Sequence, residues 1–203
     1  MTTKPPNTLN NAECEQLLEE LKIHQATDWA RRRCYRDITM ALLMLDAGLR
    51  VGEVVQLKIS DLMYENVPVT GILVRKQIAK RQSERGIRVT KRLAAAIEHM
   101  YGFVWYQDGR TPDSNAFYSS RRKEKISYQN VEQIIKAAGT RALHRDISPH
   151  TLRHTFATRM MRVTNIRVVQ VLLGHKRLSS TQIYTHPDQE DKDKAIDKMQ
   201  EGS

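Results

Sequence analysis

A histidine and an arginine three residues apart mark one segment that could bind an anion. The segment SPHTLRHTFATRMM contains His150 and Arg153, and its opening Ser148-Pro149 is typical of a helix start. Residues three apart share a face of a helix, so both side chains would lie near the free N–H groups of the first turn. Such N–H groups favour an anion such as phosphate. A helix start with a surface ion pair is the structural alternative.

A tyrosine near the C-terminal end stands in an unusually polar setting. In LLGHKRLSSTQIYTH, Tyr184 follows His175 by nine residues and is surrounded by small and hydroxylated side chains. Most tyrosines are half-buried packing residues, which is the ordinary interpretation. The alternative is that the hydroxyl group of Tyr184 reacts as a nucleophile.

An arginine also follows the most apolar segment of the chain. Arg50 stands in AGLRVGEVVQL, a few residues after ITMALLML and before further apolar residues. An unpaired guanidinium so near a core would cost free energy. The sequence therefore predicts an anionic partner for Arg50, which is either Glu53, three residues later, or a ligand phosphate.

The histidines raise the question of a metal. His150 and His154 are four residues apart, which is a metal-ligand spacing, but no Glu follows His150 as in an HExxH motif and no nearby Cys or Asp completes a set. We therefore expect no metal and no cofactor. A zinc hydrolase built on His150, His154 and His175 is kept as an alternative.

Several predicted elements would position these residues. Apolar periodicity, capping residues and glycines indicate helices over Asn11 to about His24, Asp37–Asp46 with a stop at Gly48, Arg50–Leu57, Lys91–Tyr106, Tyr128–Ala138 with a stop at Gly139, and from Ser148-Pro149 onwards. In the last of these, Leu152, Phe156 and Met160 form a core stripe. A short helix closes at Leu173 before Gly174. The strands Gly71–Val74 and Gly86–Thr90 form a hairpin around a basic turn, and 108–125 is a loop.

The composition limits the partners. The chain has 203 residues, with 33 Lys and Arg against 23 Asp and Glu, which gives a net charge of +10. The basic residues are spread over RRR, RKQIAKRQSER and RRKEK rather than over one amphipathic helix, which favours nucleic acid over a membrane surface. The sequence contains no membrane-length apolar run and no signal-like segment, and Cys14 and Cys34 do not form a disulfide framework. We expect a cytoplasmic protein.

Taken together, the three motifs resemble a known family. AGLRVGEVVQLKISDL, SPHTLRHTFATRMM and VQVLLGHKRLSSTQIYTH are similar, in this order, to the boxes of the tyrosine recombinase (phage-type integrase) catalytic domain. The resemblance covers about Thr8 to Pro187. It implies a mainly α (α+β) fold, helical with a small three-stranded antiparallel sheet. We divide the chain into an extended lead-in (1–10), the catalytic domain (11–187) and a C-terminal tail or helix (188–203) that could pack on a neighbouring protomer.

The resemblance implies a nucleophile and its activators. Tyr184 would attack a DNA phosphodiester, form a 3′-phosphotyrosyl bond and release a 5′-hydroxyl. Arg50 and Arg153 would each offer planar donors to the nonbridging oxygens, His150 would accept the tyrosine proton, and His175 would hydrogen-bond the scissile phosphate.

The resemblance also implies two supporting residues. Glu53 matches the acidic residue that orients the first arginine. The 5′-oxygen would take a proton from a lysine in the hairpin turn, for which Lys80 fits best and Lys76 competes. A turn that only grips backbone phosphates is the alternative for Lys80.

The partners implied are double-stranded DNA and further copies of the chain. The family acts as a homo-tetramer on paired DNA sites, without metal or ATP, and we expect a nucleoid-associated protein of a bacterium or mobile element. Many members carry an N-terminal core-binding domain for which this chain has no room, so we expect a catalytic domain alone or a short member. A type IB topoisomerase-like strand transferase and a DNA-binding module without catalysis are the alternatives.

Overall fold

A computed structural model describes residues 7–22, 27–79, 84–119, 124–175 and 177–182. In these ranges the α-helices are α1 (Asn11–Lys22), α2 (Asp28–Leu45), α3 (Val51–Val54), α4 (Lys91–Met100), α5 (Tyr128–Leu143), α6 (Pro149–Met161), α7 (Ile166–Leu173) and α8 (Ser179–Gln182). A 3-10 turn follows α3 at Ile59–Asp61, and a π-helical turn, Tyr101–Trp105, continues α4.

Helix α2 forms the centre of the core. Residues 39–45 of this helix are all buried, and α2 packs against α1, α4 and α6. Burial of each large apolar side chain contributes about 1.5–3 kcal/mol. The helix begins at Asp28, earlier than the predicted Asp37, because the Thr27 hydroxyl accepts the Ala30 N–H and caps it. At its far end the N–H of Asp46 donates to the carbonyl of Leu42 and caps the helix, and Gly48, predicted as the stop, adopts a φ of +61° in the connection that follows.

Side chains with a hydroxyl or amide group also cap the N-termini of the helices around the site. Ser148 caps α6 by accepting the N–H of Thr151, and Pro149 occupies the first turn, so the predicted start of this helix is confirmed. Asn165 caps α7, and Gly174, with a φ of +62°, ends it as predicted. Phe156 and Ala157 of α6 pack against α7 in a second, smaller core.

The predicted three-stranded sheet is wrong for the described residues, which form two separate two-stranded antiparallel sheets. Strand β1 (Met63–Tyr64) pairs with β2 (Val67–Pro68), and β3 (Gly71–Val74) pairs with β4 (Arg85–Arg88) in the register Ile72↔Ile87. The continuous segment 67–74 changes partner midway. The N–H of Val69 still donates to Leu62, whereas the carbonyl of Thr70 already accepts from Val89. No strand therefore lies between two others in this region.

Glycine 139 does not end α5, which corrects a second prediction. The helix continues to Leu143, and His144, with a φ of +52°, closes it. The glycine serves packing instead, since a Cβ at this position would lie 2.5 Å from Cγ1 of Ile147. The chain returning from α5 to α6 therefore passes against a helix face that only glycine leaves open.

Several predictions fall on residues outside the described ranges. These include the end of the first helix near His24, Lys80, Tyr184, residues 1–6 of the lead-in and the tail 188–203. In the described part of the lead-in, residues 7–10 have no regular secondary structure, and the N–H of Leu9 donates to the hydroxyl of Thr155 on α6 (2.9 Å).

Replacing Gly139 with alanine tests the packing explanation. We expect the free energy of unfolding of Gly139→Ala to fall by about 1–3 kcal/mol, because the new methyl group must displace Ile147. Gly102→Ala is the matched control, since its Cβ would meet nothing within 4 Å, and it should not lose stability. Equal urea-unfolding midpoints for Gly139→Ala and the wild type would contradict the explanation.

Candidate active site

The carboxylate of Glu53, on α3, lies at the centre of the site. Its side chain is 1% exposed, and Arg85 of β4, 2% exposed, clamps it through two hydrogen bonds, Nη1–Oε1 at 3.0 Å and Nη2–Oε2 at 2.7 Å. Burial by itself raises the pKa of Glu53, but the hydrogen bonds and charge of Arg85, with smaller effects of Arg50 and Arg153, hold it below its usual value. Glu53 is therefore ionised at neutral pH.

Arg50 is held at the mouth of the site by the same carboxylate. Its backbone N–H donates to Oε2 of Glu53 at 2.8 Å, and its Nη1 donates to Oε1 at 3.1 Å. Of the two anionic partners expected for this arginine, Glu53 is thus the one that the structure shows. The Arg50 side chain remains 24% exposed, so part of the guanidinium can meet a ligand from solvent.

Arg153, on α6, is buried and joins three elements. Its Nη1 donates to the carbonyl of Gly48, before α3, and its Nη2 donates to the carbonyl of Leu173, at the end of α7 (2.6 Å). Nη1 also lies 4.0 Å from Oε2 of Glu53. The guanidinium is therefore fixed in place by backbone groups as well as by charge.

His175 follows the glycine that ends α7 and contacts Arg153. Its Nε2 lies 3.4 Å from Nη2 of Arg153, and its Nδ1 lies 3.0 Å from the hydroxyl oxygen of Thr181 on α8. The backbone of His175 is held in turn by Gln170, whose carbonyl accepts its N–H and whose side chain donates to its carbonyl. Burial and the charges of the arginines lower the pKa of His175 to about 4, so its ring is neutral at pH 7.

His150 occupies the first turn of α6 and is accessible to solvent. Partial desolvation, with the positive charges of Arg153 and Arg50, lowers its pKa below the usual 6.5. A neutral imidazole of this kind can accept a proton. The His154 ring meets it edge to face, with centroids 4.0 Å apart, so His154 supports the ring of His150 from the next turn.

One cavity of about 570 Å³ brings these groups together. Arg50, Glu53, His150 and Arg153 all line it, and His175 contacts Arg153 behind them. The hairpin reaches the same cavity through Gln77, Ile78 and Ala79. Lys80 directly follows Ala79 in the chain, whereas Lys76 is exposed and is not among the described residues that line this cavity.

Two residues of the site were not predicted from the sequence. Arg85 shares the inward face of β4 with Ile87, and the alternation of RGIR was the available signal for its burial. Its Nε also donates to the carbonyl of Leu172 (2.8 Å), so it ties the hairpin to α7. Thr181 is fully buried against His175, and no spacing rule in the sequence indicated that contact.

Within the described ranges, no group of three or more His, Cys, Asp or Glu side chains is placed to hold a metal ion. No helix found there is long and apolar enough to cross a membrane.

The sequence of this chain matches one protein family. The model of the phage integrase family matches residues 7–191. The chain is 36% identical over 160 residues to tyrosine recombinase XerC of Psychromonas ingrahamii, covering 75% of this chain and 49% of that protein. It is 37% identical over 184 residues to tyrosine recombinase XerA of Pyrococcus furiosus, covering 89% and 57%. The chain thus spans about half the length of these relatives.

A solved structure has the same fold. The XerH site-specific recombinase, bound to difH substrate in a pre-cleavage complex, matches with a TM-score of 0.72 at 24% identity, over 97% of this chain and 55% of that chain. The predicted mainly α fold class is therefore confirmed.

Removing the charge of Glu53 should destabilise the fold. We expect Glu53→Gln to lower the free energy of unfolding by about 3–5 kcal/mol at pH 7, because Arg85 and Arg153 would stay buried without their anion. The pKa of Glu53 is lower in the folded state, so its contribution is present above its usual pKa of 4.5 and is lost as the pH falls through the folded value. The difference between mutant and wild type, followed by denaturant unfolding, should shrink below that pH.

Glu19→Gln serves as the control for Glu53→Gln. Glu19 pairs with Lys22 on the surface, with 63% of its side chain exposed, so its loss should change stability by less than about 1 kcal/mol. A Glu53→Gln protein as stable as Glu19→Gln would show that the buried cluster does not hold the fold.

Proposed function

From the premise that this chain belongs to the phage integrase family, we propose that it is a site-specific recombinase that cuts and rejoins DNA through a covalent 3′-phosphotyrosyl intermediate. The observation that carries the proposal is the cavity at which Arg50, His150 and Arg153 converge, with His175 against Arg153. Phosphoryl transfer requires mainly positioned positive charge around the phosphate, and this cavity supplies it.

Electrostatics favour a phosphodiester as the ligand of this cavity. Three guanidinium groups, those of Arg50, Arg85 and Arg153, surround the single carboxylate of Glu53, so the cluster keeps an excess of positive charge. Arg50 is the partly exposed member, and it presents a planar group with several donors. The chain as a whole carries a net charge of +10, which attracts the DNA backbone.

Tyr184 is the proposed nucleophile. Helix α8 contacts His175 through Thr181 and ends at Gln182, two residues before Tyr184 in the chain. The phenolic oxygen would attack phosphorus and pass its proton to His150, while Arg50 and Arg153 stabilise the negative charge on the nonbridging oxygens. His175 would hydrogen-bond the same phosphate.

Lys80 is the proposed acid for the leaving group. As the new P–O bond to tyrosine forms, the bond to the 5′-oxygen breaks, and that oxygen takes a proton from the lysine. Lys76 and Lys80 flank the cavity residues Gln77–Ala79 in the chain, and Lys80 is preferred because Lys76 does not itself line the cavity. The number of phosphate ester bonds is unchanged in each transfer, so religation requires no ATP. Arg50 and Arg153 would supply the positive charge that a metal ion could otherwise provide.

The assembly is proposed by analogy with the family. Exchange between two duplexes requires several active sites, and we propose a homo-tetramer on paired DNA sites, acting on nucleoid DNA in the cytoplasm. Because the chain spans about half the length of its relatives, contacts that select the DNA sequence could lie in a further domain.

Trapping the covalent step tests the proposed function. We would incubate the protein with a library of nicked duplexes in the presence of a chelator, so that a short 5′-hydroxyl strand diffuses away after cleavage and religation is blocked. Denaturing gels should show a protein–DNA adduct that Tyr184→Phe abolishes. Sequencing of the trapped DNA would then give the target site.

The other outcomes of the adduct-trapping experiment distinguish the alternative functions. An adduct that persists in Tyr184→Phe would show that another residue is the nucleophile. Binding without any adduct would favour a DNA-binding module. An adduct that forms on single sites and relaxes supercoiled circles without exchange would favour a topoisomerase-like transferase.

A further inference from the structure

The ring of His175 has different partners at its two nitrogens. Nδ1 lies 3.0 Å from the hydroxyl oxygen of Thr181, which can donate or accept a hydrogen bond. Nε2 lies 3.4 Å from Nη2 of Arg153, which can only donate. If Nε2 carried a proton, its N–H would point at the N–H groups of the Arg153 guanidinium and be repelled. Nε2 is therefore unprotonated and directs its lone pair towards Arg153.

These contacts determine the tautomer of the free protein. A neutral imidazole has one proton, and if Nε2 is bare the proton is on Nδ1. Nδ1–H then donates to the Thr181 hydroxyl oxygen. Burial and the charges of Arg153, Arg50 and Arg85 keep the ring neutral. Thr181 is therefore the acceptor that makes this tautomer stable.

A phosphate in the cavity needs the opposite tautomer. One hydrogen of Arg153 Nη2 donates to the carbonyl of Leu173, and the other faces His175. The hydrogen that faces His175 is the one that Nη2 would donate to a phosphate oxygen. A neutral His175 can hydrogen-bond the same oxygen only if its proton is on Nε2. Nδ1 would then be bare and would need a donor.

We propose that Thr181 is a positioning residue for His175, whose hydroxyl accepts from Nδ1–H in the free protein and donates to bare Nδ1 when a DNA phosphate is bound. The ring keeps one proton throughout, since solvent takes it from Nδ1 and returns one to Nε2. The second half of this proposal rests on the proposed function. Because Thr181 lies three residues before Tyr184, the same contact links the ring to the segment that carries the proposed nucleophile.

Nitrogen NMR of the full chain labelled with ¹⁵N-histidine tests the free state without any ligand. Long-range ¹H–¹⁵N spectra distinguish the two neutral tautomers, and His175→Gln identifies the signals of His175. We expect the Nδ1–H pattern in the wild type and in Thr181→Ser, which keeps the hydroxyl. Thr181→Val, similar in shape but without a hydroxyl, should leave Nδ1–H without its acceptor and shift the ¹⁵N signals of the His175 ring away from those of the wild type.

A free wild-type protein in the Nε2–H form would overturn the proposal, as would a Thr181→Val spectrum that matches the wild type. Circular dichroism would show whether Thr181→Val is folded. Should it not fold, the comparison of the wild type with Thr181→Ser and the DNA titration would decide the question.

The change of the His175 tautomer on binding DNA is tested with random-sequence duplex DNA. The DNA is added to Tyr184→Phe protein so that no cleavage occurs. Bound DNA, followed by fluorescence anisotropy, should convert His175 to the Nε2–H pattern, and an unchanged Nδ1–H pattern on bound DNA would overturn the switch. If no DNA binds, the proposed function fails, while the spectra of the free protein still decide the role of Thr181.

Cleavage kinetics supply the functional readout at the site recovered from trapped DNA. Thr181→Val should slow adduct formation by about tenfold or more, as expected when a donor to the transition-state phosphate is mispositioned. Thr181→Ser should restore a rate within a few-fold of the wild type. Equal rates for Thr181→Val and wild type would contradict the positioning role.

Discussion

The carboxylate of Glu53 is buried beneath a bidentate arginine, and an anion in such a place is stable only when all of its partners are present. Those partners come from separate parts of the chain, with Arg85 from the hairpin, Arg50 from the start of α3 and Arg153 from α6. Apolar packing alone would allow these elements to shift slightly against one another. Charge-assisted hydrogen bonds have a fixed geometry and do not allow such shifts, so the interactions that stabilise the fold also set the geometry of the site.

The same interactions explain how several arginines can be held close together in the folded chain. Each arginine donates to the protein itself, to the Glu53 carboxylate or to the carbonyls of Gly48, Leu172 and Leu173, and Arg50 and Arg153 also line the cavity. A phosphate that enters meets donors already held in place, so little reorganisation is needed during the reaction. Burial, together with the charges of these arginines, lowers the pKa of His150 and of His175, which leaves both rings neutral and able to accept a proton.

The sequence predicted the parts of this design that depend on local chemistry. Ser148-Pro149 and Gly174 are capping signals, and each marks a real helix end. The β1–β2 hairpin was missed because its turn residues, Glu65 and Asn66, both with positive φ, lack the usual glycine. Other roles depend on tertiary contacts. Gly139 packs against Ile147, Arg85 binds Glu53 and Thr181 contacts His175, and each pair meets only once the chain has folded. Local patterns carry no information about such contacts.

In the proposed reaction, the arginines held by Glu53 neutralise charge on the phosphate that is cleaved. The most direct test compares the cleavage rates of Arg50→Ala and wild type on the target phosphodiester and on a methylphosphonate, in which one charged oxygen is a neutral methyl group. On the phosphodiester, Arg50→Ala should be slower by about 10²–10³-fold. On the methylphosphonate there is less charge to stabilise, and the deficit should shrink by about tenfold or more. An equal deficit on both substrates would contradict the account, because Arg50 would then act on something other than the charge of the phosphate.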